Sequence, residues 1–258
     1  MKIFYNRLGF TVLLYREIHR FFKVFIQTIF APLLSNILYL AVFGGVLKTR
    51  EVGIEGVNYL HFLVPGLTTM GALMAAFQNP SFSLISQKFQ GTIQDINSYP
   101  ISDVEKSLAY ILGGTFRGLL VGSLTYIATV PFVGFGIKNI PLFIFSIILT
   151  SFIFASIGLI CGLTLDNFEK MNFILAIVIT PLSYLGGVFF EVSKLPGVLS
   201  HVGNINPIYP LVNITRYSYL GIAEGNILLH GILAFVFLSA SFITSIILFR
   251  KGIGIKVR

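Results

Sequence analysis

The residues able to do chemistry in this chain are few and far apart. Its four histidines, His19, His61, His201 and His230, are scattered along the sequence. None belongs to the H-E-x-x-H pattern that sets two imidazoles on one helical face to hold zinc. No G-x-S-x-G turn presents a serine nucleophile, and no two carboxylates share an apolar run where one would donate a proton and the other accept it. Gly113 and Gly118 have the glycine spacing of a phosphate loop, but Leu119 follows where that loop needs lysine. Cys161 is the only cysteine, which rules out an intrachain disulfide and a cysteine-based metal site. These absences predict a chain that is not an enzyme and binds no metal or cofactor of its own.

Two features of another kind remain. Arg117 is the one cation inside a long apolar run, and a charge at the centre of a bilayer costs about 2.5–3.5 kcal/mol on insertion scales. The reading that follows places Arg117 near the inner end of its helix, where a long stem reaches the head groups. Each histidine lies near a predicted membrane boundary, where imidazole suits the interface.

The elements that carry these residues are dictated by solvent. Of 258 residues, 55% are hydrophobic and 11% charged, against roughly 25% charged in soluble proteins, and the mean hydropathy is +0.87. So few charges cannot cover a water-soluble domain of this length, so lipid must face much of the surface. The formal charge of +8 comes from cations at the termini and at the ends of apolar runs. That pattern fits anionic lipid head groups and excludes a nucleic-acid surface.

A helix needs about 20 apolar residues to cross the roughly 30 Å hydrocarbon layer. Six stretches meet this, at 25–47, 59–78, 108–137, 142–165, 173–190 and 227–249. With the termini inside, twelve cations fall on inner segments: Lys2, Arg7, Arg16, Arg20 and Lys23 before the first span, then Lys88, Lys106 and Lys170, then Arg250, Lys251, Lys256 and Arg258. Only Lys48, Arg50, Lys138, Lys194 and Arg216 fall outside. The positive-inside bias therefore predicts a multi-pass protein of the cell membrane with both termini cytoplasmic.

Residues 1–23 form an interfacial helix, with Leu14, Ile18, Phe21 and Phe25 on one face and Arg16, Arg20 and Lys23 on the other. The apolar run behind it is too long for a cleaved signal peptide. Residues 80–106 make the longest inner connection, long enough for a short surface helix. Residues 191–226, interrupted by Pro196, Gly197, Gly203, Pro207 and Pro210, are too broken to span and predict two half-helices dipping into the outer leaflet. Arg216, Tyr217 and Tyr219 would close them near the head groups. Gly118 with Gly122, and Gly158 with Gly162, are small-residue pairs that let helices approach closely, within the chain or across a dimer. Pro181, Gly186 and Gly187 would loosen the fifth span.

Taken in order, these elements resemble the permeases of type-2 ABC exporters, in particular small bacterial inner-membrane permeases. The local sequences carry the likeness further: Phe62-Leu63-Val64-Pro65-Gly66-Leu67, Phe89-Gln90-Gly91-Thr92-Ile93-Gln94, Thr180-Pro181-Leu182-Ser183-Tyr184-Leu185-Gly186-Gly187-Val188-Phe189, and Ile205-Asn206-Pro207-Ile208-Tyr209-Pro210 with Arg216-Tyr217. The family commonly has an acidic residue two positions after the Gly-Thr of the inner loop; here Gln94 stands there and Asp95 follows.

The resemblance implies an all-α membrane fold occupying 1–258 as one permease domain: six transmembrane helices, an N-terminal amphipathic helix and a broken re-entrant segment before the last span. It further implies a homodimer working with two copies of an ABC ATP-binding subunit, which would bind the ATP and magnesium. The 80–106 loop would be the coupling element, with Phe89, Gly91, Thr92, Ile93 and Asp95 as its contact. The 191–226 segment would be the outer gate, with Pro196 and Pro207 fixing bends and Glu191 and Arg216 at the rim. The cargo classes it suggests are amphipathic, lipid-linked, glycan or drug-like molecules leaving the cytoplasm. A secondary transporter or channel would instead call for paired intramembrane carboxylates or inverted repeats, and a scaffold would use the same fold only to bind partners.

Overall fold

The computed structural model describes residues 7–47, 51–52, 56–98 and 100–255. Lys2, Lys48, Arg50, Lys256 and Arg258, which enter the charge bias, and Tyr99 of the inner loop lie outside the described residues.

The chain is almost entirely helical. Helix α1 (Arg7–Lys23) meets the next helical run at 84°. That run opens with a π-turn at Ile26–Phe30 and continues as α2 (Ala31–Leu47). The Thr28 hydroxyl sits at the bend and donates to the Phe21 carbonyl (2.8 Å) and that of Val24 (2.9 Å), a local side-chain bond across the break. Residues 26–47 rise about 33 Å at 1.5 Å per residue, enough to cross the hydrocarbon layer. A two-residue antiparallel ladder, Glu51–Val52 with Val57–Asn58, follows. Asn58 then caps α3 (Tyr59–Phe89) by accepting from the Leu60 amide at 2.9 Å.

Short α4 (Ile93–Ser98) leads to α5 (Asp103–Val133), α6 (Ile140–Thr164) follows, and α11 (Ile227–Lys251) closes the chain. The fifth span is composite: α7 (Phe168–Ile174), a π-turn at Leu175–Ile179, α8 (Thr180–Ser183) and a second π-turn at Tyr184–Val188. Pro181 cannot donate to the chain behind it, and the Thr180 amide and hydroxyl (2.8 Å) both turn to the Leu175 carbonyl. Between this span and α11 stand α9 (Val198–Ile205) and α10 (Ile208–Leu220), separated at Pro207. Among the described residues, five helical units are long and apolar enough to cross a membrane, or six if the bent α1–α2 pair is counted as one span.

Helix α3 is the centre of the bundle, with α5 and α6 packed along it. Four glycines make this possible. A Cβ on Gly118 would lie 2.8 Å from both the Ala72 carbonyl oxygen and the Ala76 Cβ, and one on Gly122 would lie 3.0 Å from the Ala72 Cβ. Gly158 packs on the Phe77 carbonyl, and a Cβ on Gly162 would lie 3.0 Å from the Ser81 Cα. Both small-residue pairs therefore serve packing within the chain. Helix α11 lies on the outside and exposes Leu228, Ile232, Phe235, Val236 and Ile243, the surface expected of a helix facing lipid.

Boundaries differ from the sequence expectation in physically interpretable ways. The second span is expected to end at Gln78, with a loop beginning at Pro80, yet α3 runs on to Phe89 through Pro80. Pro80 leaves the Ala76 carbonyl without its helical donor, and Gly114 of α5 fits the notch: a Cβ there would stand 2.9 Å from the Ala76 oxygen and 3.0 Å from the Pro80 Cδ. The third span begins before residue 108, because Ser102 and Glu105 form a capping box, the Glu105 amide donating to Ser102 Oγ (3.2 Å) and the Ser102 amide to Glu105 Oε2 (2.6 Å). It stops at Gly134, whose φ of +73° breaks the helix ahead of 135–137.

Candidate functional site

At the end of the bundle that holds α1, the chain projects a small knob. Helix α3 closes there with the Thr92 amide on the Gln87 carbonyl (3.0 Å) and the Gly91 amide on that of Lys88 (3.2 Å). Gly91 takes a φ of +72°, which strains any residue with a Cβ. Helix α4 follows from Ile93. Phe89 is 83% exposed, and Gly91, Thr92 and Asp95 are exposed beside it. The ring of Phe168, from the next connection at this end, meets Phe89 edge-on at 6.3 Å and stacks on Phe82 at 5.9 Å. Ile93 differs from its neighbours. It is 7% exposed and belongs to the hydrophobic core, so it anchors α4 and is not presented to a partner.

The knob is tied down by Lys88. Its ammonium donates to the carbonyls of Leu163 (2.7 Å) and Leu165 (2.8 Å) at the C-terminus of α6, where unpaired carbonyls and the helix dipole favour a cation.

Next to the knob lies a buried polar hub that the sequence did not single out. Glu17 of α1 is fully buried. It accepts from Arg16 (3.2 Å), Arg20 (3.5 Å) and the Ser83 hydroxyl (2.9 Å). Gln87 donates to Ser83 Oγ (3.0 Å) and accepts from the Tyr110 hydroxyl (3.0 Å), which in turn accepts from Arg16 (3.0 Å). A Cβ on Gly113 would come within 2.8 Å of the Glu17 Cβ, so that glycine admits α1. The inward face of α1 is thus centred on Leu13, Glu17 and Phe21. This corrects the expected apolar face: Leu14 and Ile18 flank the contact, and Phe25 is exposed. One signal was available, since Glu17 is the only carboxylate among the first fifty residues and stands four positions from both Leu13 and Phe21.

At the opposite end, α9 and α10 cap the bundle. The expected placement of Arg216 at an outer rim is corrected: the side chain is fully buried. It donates to the Gly187 carbonyl (2.6 Å) and to Asn213 Oδ1 (3.4 Å), and its guanidinium carbon lies 3.9 Å from the centre of the Phe62 ring. The reason is local: Gly187 turns to a φ of +83° at the end of the fifth span, leaving a carbonyl inside that needs a strong donor. Tyr219 is buried as well, and of the three residues expected near the head groups only Tyr217 is exposed. Glu191 is also buried, with Lys194 Nζ 2.9 Å from its carboxylate. Pro196 lies exposed just before α9, and Pro207 is the residue from which α10 starts.

The histidines stay apart. His19 stacks on Tyr15, His61 Nδ1 lies 3.3 Å from the Tyr219 hydroxyl, His201 sits on its own helix and His230 packs against Tyr209. Among the described residues no group of three or more histidine, cysteine or acidic side chains is placed to hold a metal.

The described residues thus form a bundle of five to six candidate spans with an exposed turn at one end and two short helices at the other. The family model of the ABC-2 type transporter matches residues 9–220. The chain belongs to this family. It is 31% identical over 241 residues to the inner membrane transport permease YadH of Escherichia coli (strain K12), covering 93% of this chain and 94% of that one. It is also similar to nodulation protein J of Rhizobium meliloti (strain 1021), 28% over 208 residues (77% and 76%), and to that of Rhizobium leguminosarum bv. viciae, 25% over 244 residues (89% of each). As an ABC-2 family member the chain is the membrane permease of an ABC transporter, a multi-pass inner-membrane subunit that pairs with an ATP-binding subunit.

Proposed function

We propose that the chain acts as a homodimer with two ATP-binding subunits and exports an amphipathic, lipid-linked, glycan or drug-like molecule, with both termini in the cytoplasm. ATP and magnesium are the partner's ligands. Phe89, Gly91, Thr92 and Asp95 form the surface that docks into it, and Ile93 holds that surface in place.

The observation that carries this reading is the exposure of Phe89 on a clamped support. A large ring left 83% exposed at a helix end is a typical anchor for a partner's pocket. ATP-driven closure shifts the permease only if the partner binds its two conformations unequally. A knob fixed by Lys88 to α6 and continuous with α3 passes a displacement to the centre of the bundle instead of absorbing it. At the outer end, the π-turns and Gly187 of the fifth span are the places where the backbone yields.

The test is co-purification of the permease with its ATP-binding subunit in nanodiscs. Phe89→Asp is expected to weaken association at least tenfold while leaving the permease folded. Undiminished association and substrate-stimulated ATP hydrolysis would remove the coupling assignment.

A further inference from the structure

A cavity of about 630 Å³ opens between α1, α2, α3, α5 and the fifth span. Arg117 lines it and is buried, at 5% exposure. Its guanidinium donates to the Thr28 carbonyl (3.1 Å) and Gln78 Oε1 (3.4 Å), both neutral, and its Nε has no partner. None of the ion pairs among the described residues includes it. The charge acting on it is that of Arg20, of like sign, which lines the same cavity from α1. Arg20 donates to the Asn79 carbonyl (2.8 Å) and Oδ1 (3.0 Å), both neutral, Glu17 divides its one negative charge between Arg16 and Arg20, and the Arg20 Nε is likewise unpartnered.

Two guanidinium groups therefore line one half-enclosed cavity with less than one carboxylate between them. A cation held this way out of water is satisfied by an anion that brings several acceptor oxygens, and the planar fork of arginine matches phosphate. Gln78 and Asn172 add polar groups to the lining, as do Gln27, Ser35 and Asn36, while Met70, Met74 and Phe82 are among its apolar members. Such a mixed lining suits a polar head joined to an apolar body.

We infer that this cavity binds the phosphate or similar oxyanion group of an amphiphile, with Arg117 as the principal ligand and Arg20 as the second. The inference deepens the transport reading by naming the cargo class as an anionic amphiphile, and it rests on that reading only for the step from bound to transported.

The test measures binding and leaves transport aside. The full-length permease in detergent is titrated with dioctanoyl phosphatidic acid and with dioctanoylglycerol, and the bound species are counted by native mass spectrometry. The phosphate-bearing probe is expected to bind at least tenfold more tightly, and Arg117→Gln to abolish the difference. Met74→Trp, which fills the cavity without altering charge, reports independently if Arg117→Gln does not fold, and is expected to weaken the same probe tenfold. Inorganic phosphate added as competitor separates the sources: failure to displace the probe assigns the site to a lipid-borne group, and full displacement assigns it to a soluble oxyanion. Equal binding of the two probes, or an unchanged preference in folded Arg117→Gln, overturns the inference. Either result leaves the partner-coupling test untouched, so the two readings fail separately.

Discussion

The ammonium of Lys88 lies 2.7 Å from the Leu163 carbonyl, joining the last turn of α3 to the last turn of α6. Two helices that line the core are thereby locked together one residue before the exposed ring of Phe89. Lys88→Met keeps the apolar stem and removes both charged hydrogen bonds, each worth about 1.5–3 kcal/mol. We expect a fall in detergent thermal stability and a larger, severalfold fall in partner-stimulated transport, with association nearly unchanged. Equal transport by mutant and parent would show that the clamp transmits nothing.

Glu17→Gln should destabilise the protein by about 1–3 kcal/mol, since buried hydrogen bonds lose their charge and two arginines lose their counter-ion. Arg16 and Arg20 each keep about a third or more of their side-chain surface exposed, which holds the cost below that of a fully buried pair. Arg16→Gln is expected to cost less, because Arg20 and Ser83 still serve the carboxylate. Thermal unfolding of the two variants in one detergent gives the order.

The glycines make predictions of opposite sign. Gly158 lies against the backbone of Phe77, so Gly158→Ala forces α6 from α3 and should cost about 1–3 kcal/mol. Gly231 of α11 faces open space, and Gly231→Ala should stabilise by up to about 1 kcal/mol through helix propensity alone. The sign of the melting shift in each variant checks the packing described for α3.

The spans were legible in the sequence because lipid demands long apolar runs and few segments can pass for them. The C-terminal part of α3 was not. Ser81, Ser83, Gln87 and Lys88 make it read as a loop, yet each polar group is absorbed by a distant or local partner: the Phe77 carbonyl, Glu17, Tyr110 and the end of α6. The sequence marked Phe89, Gly91, Thr92, Ile93 and Asp95 as one proposed contact; four of them are exposed, whereas Ile93 is buried among core residues that adjoin it only in the folded bundle. Arg216 misled for the same reason, since its partners Phe62 and Gly187 adjoin it only in the folded bundle.

Arg216→Lys should lower stability at the α9–α10 cap, because lysine retains the charge but loses the planar contact with Phe62 and the fixed geometry toward Gly187. Limited proteolysis between α9 and α11 is expected to accelerate severalfold in this variant while cleavage near α4 stays constant. Uniform acceleration at both ends would mean that the cap is not a separately stabilised unit.

The most direct measurement of the central claim is the affinity of the permease for its ATP-binding subunit, read in nanodiscs for the parent and for Phe89→Asp, with Ile232→Asn on the exposed face of α11 as a control. Coupling through the knob requires at least a tenfold loss for Phe89→Asp and none for the control. Equal affinity in all three would contradict it, and the exposed ring at the end of α3 would then have no part in driving transport.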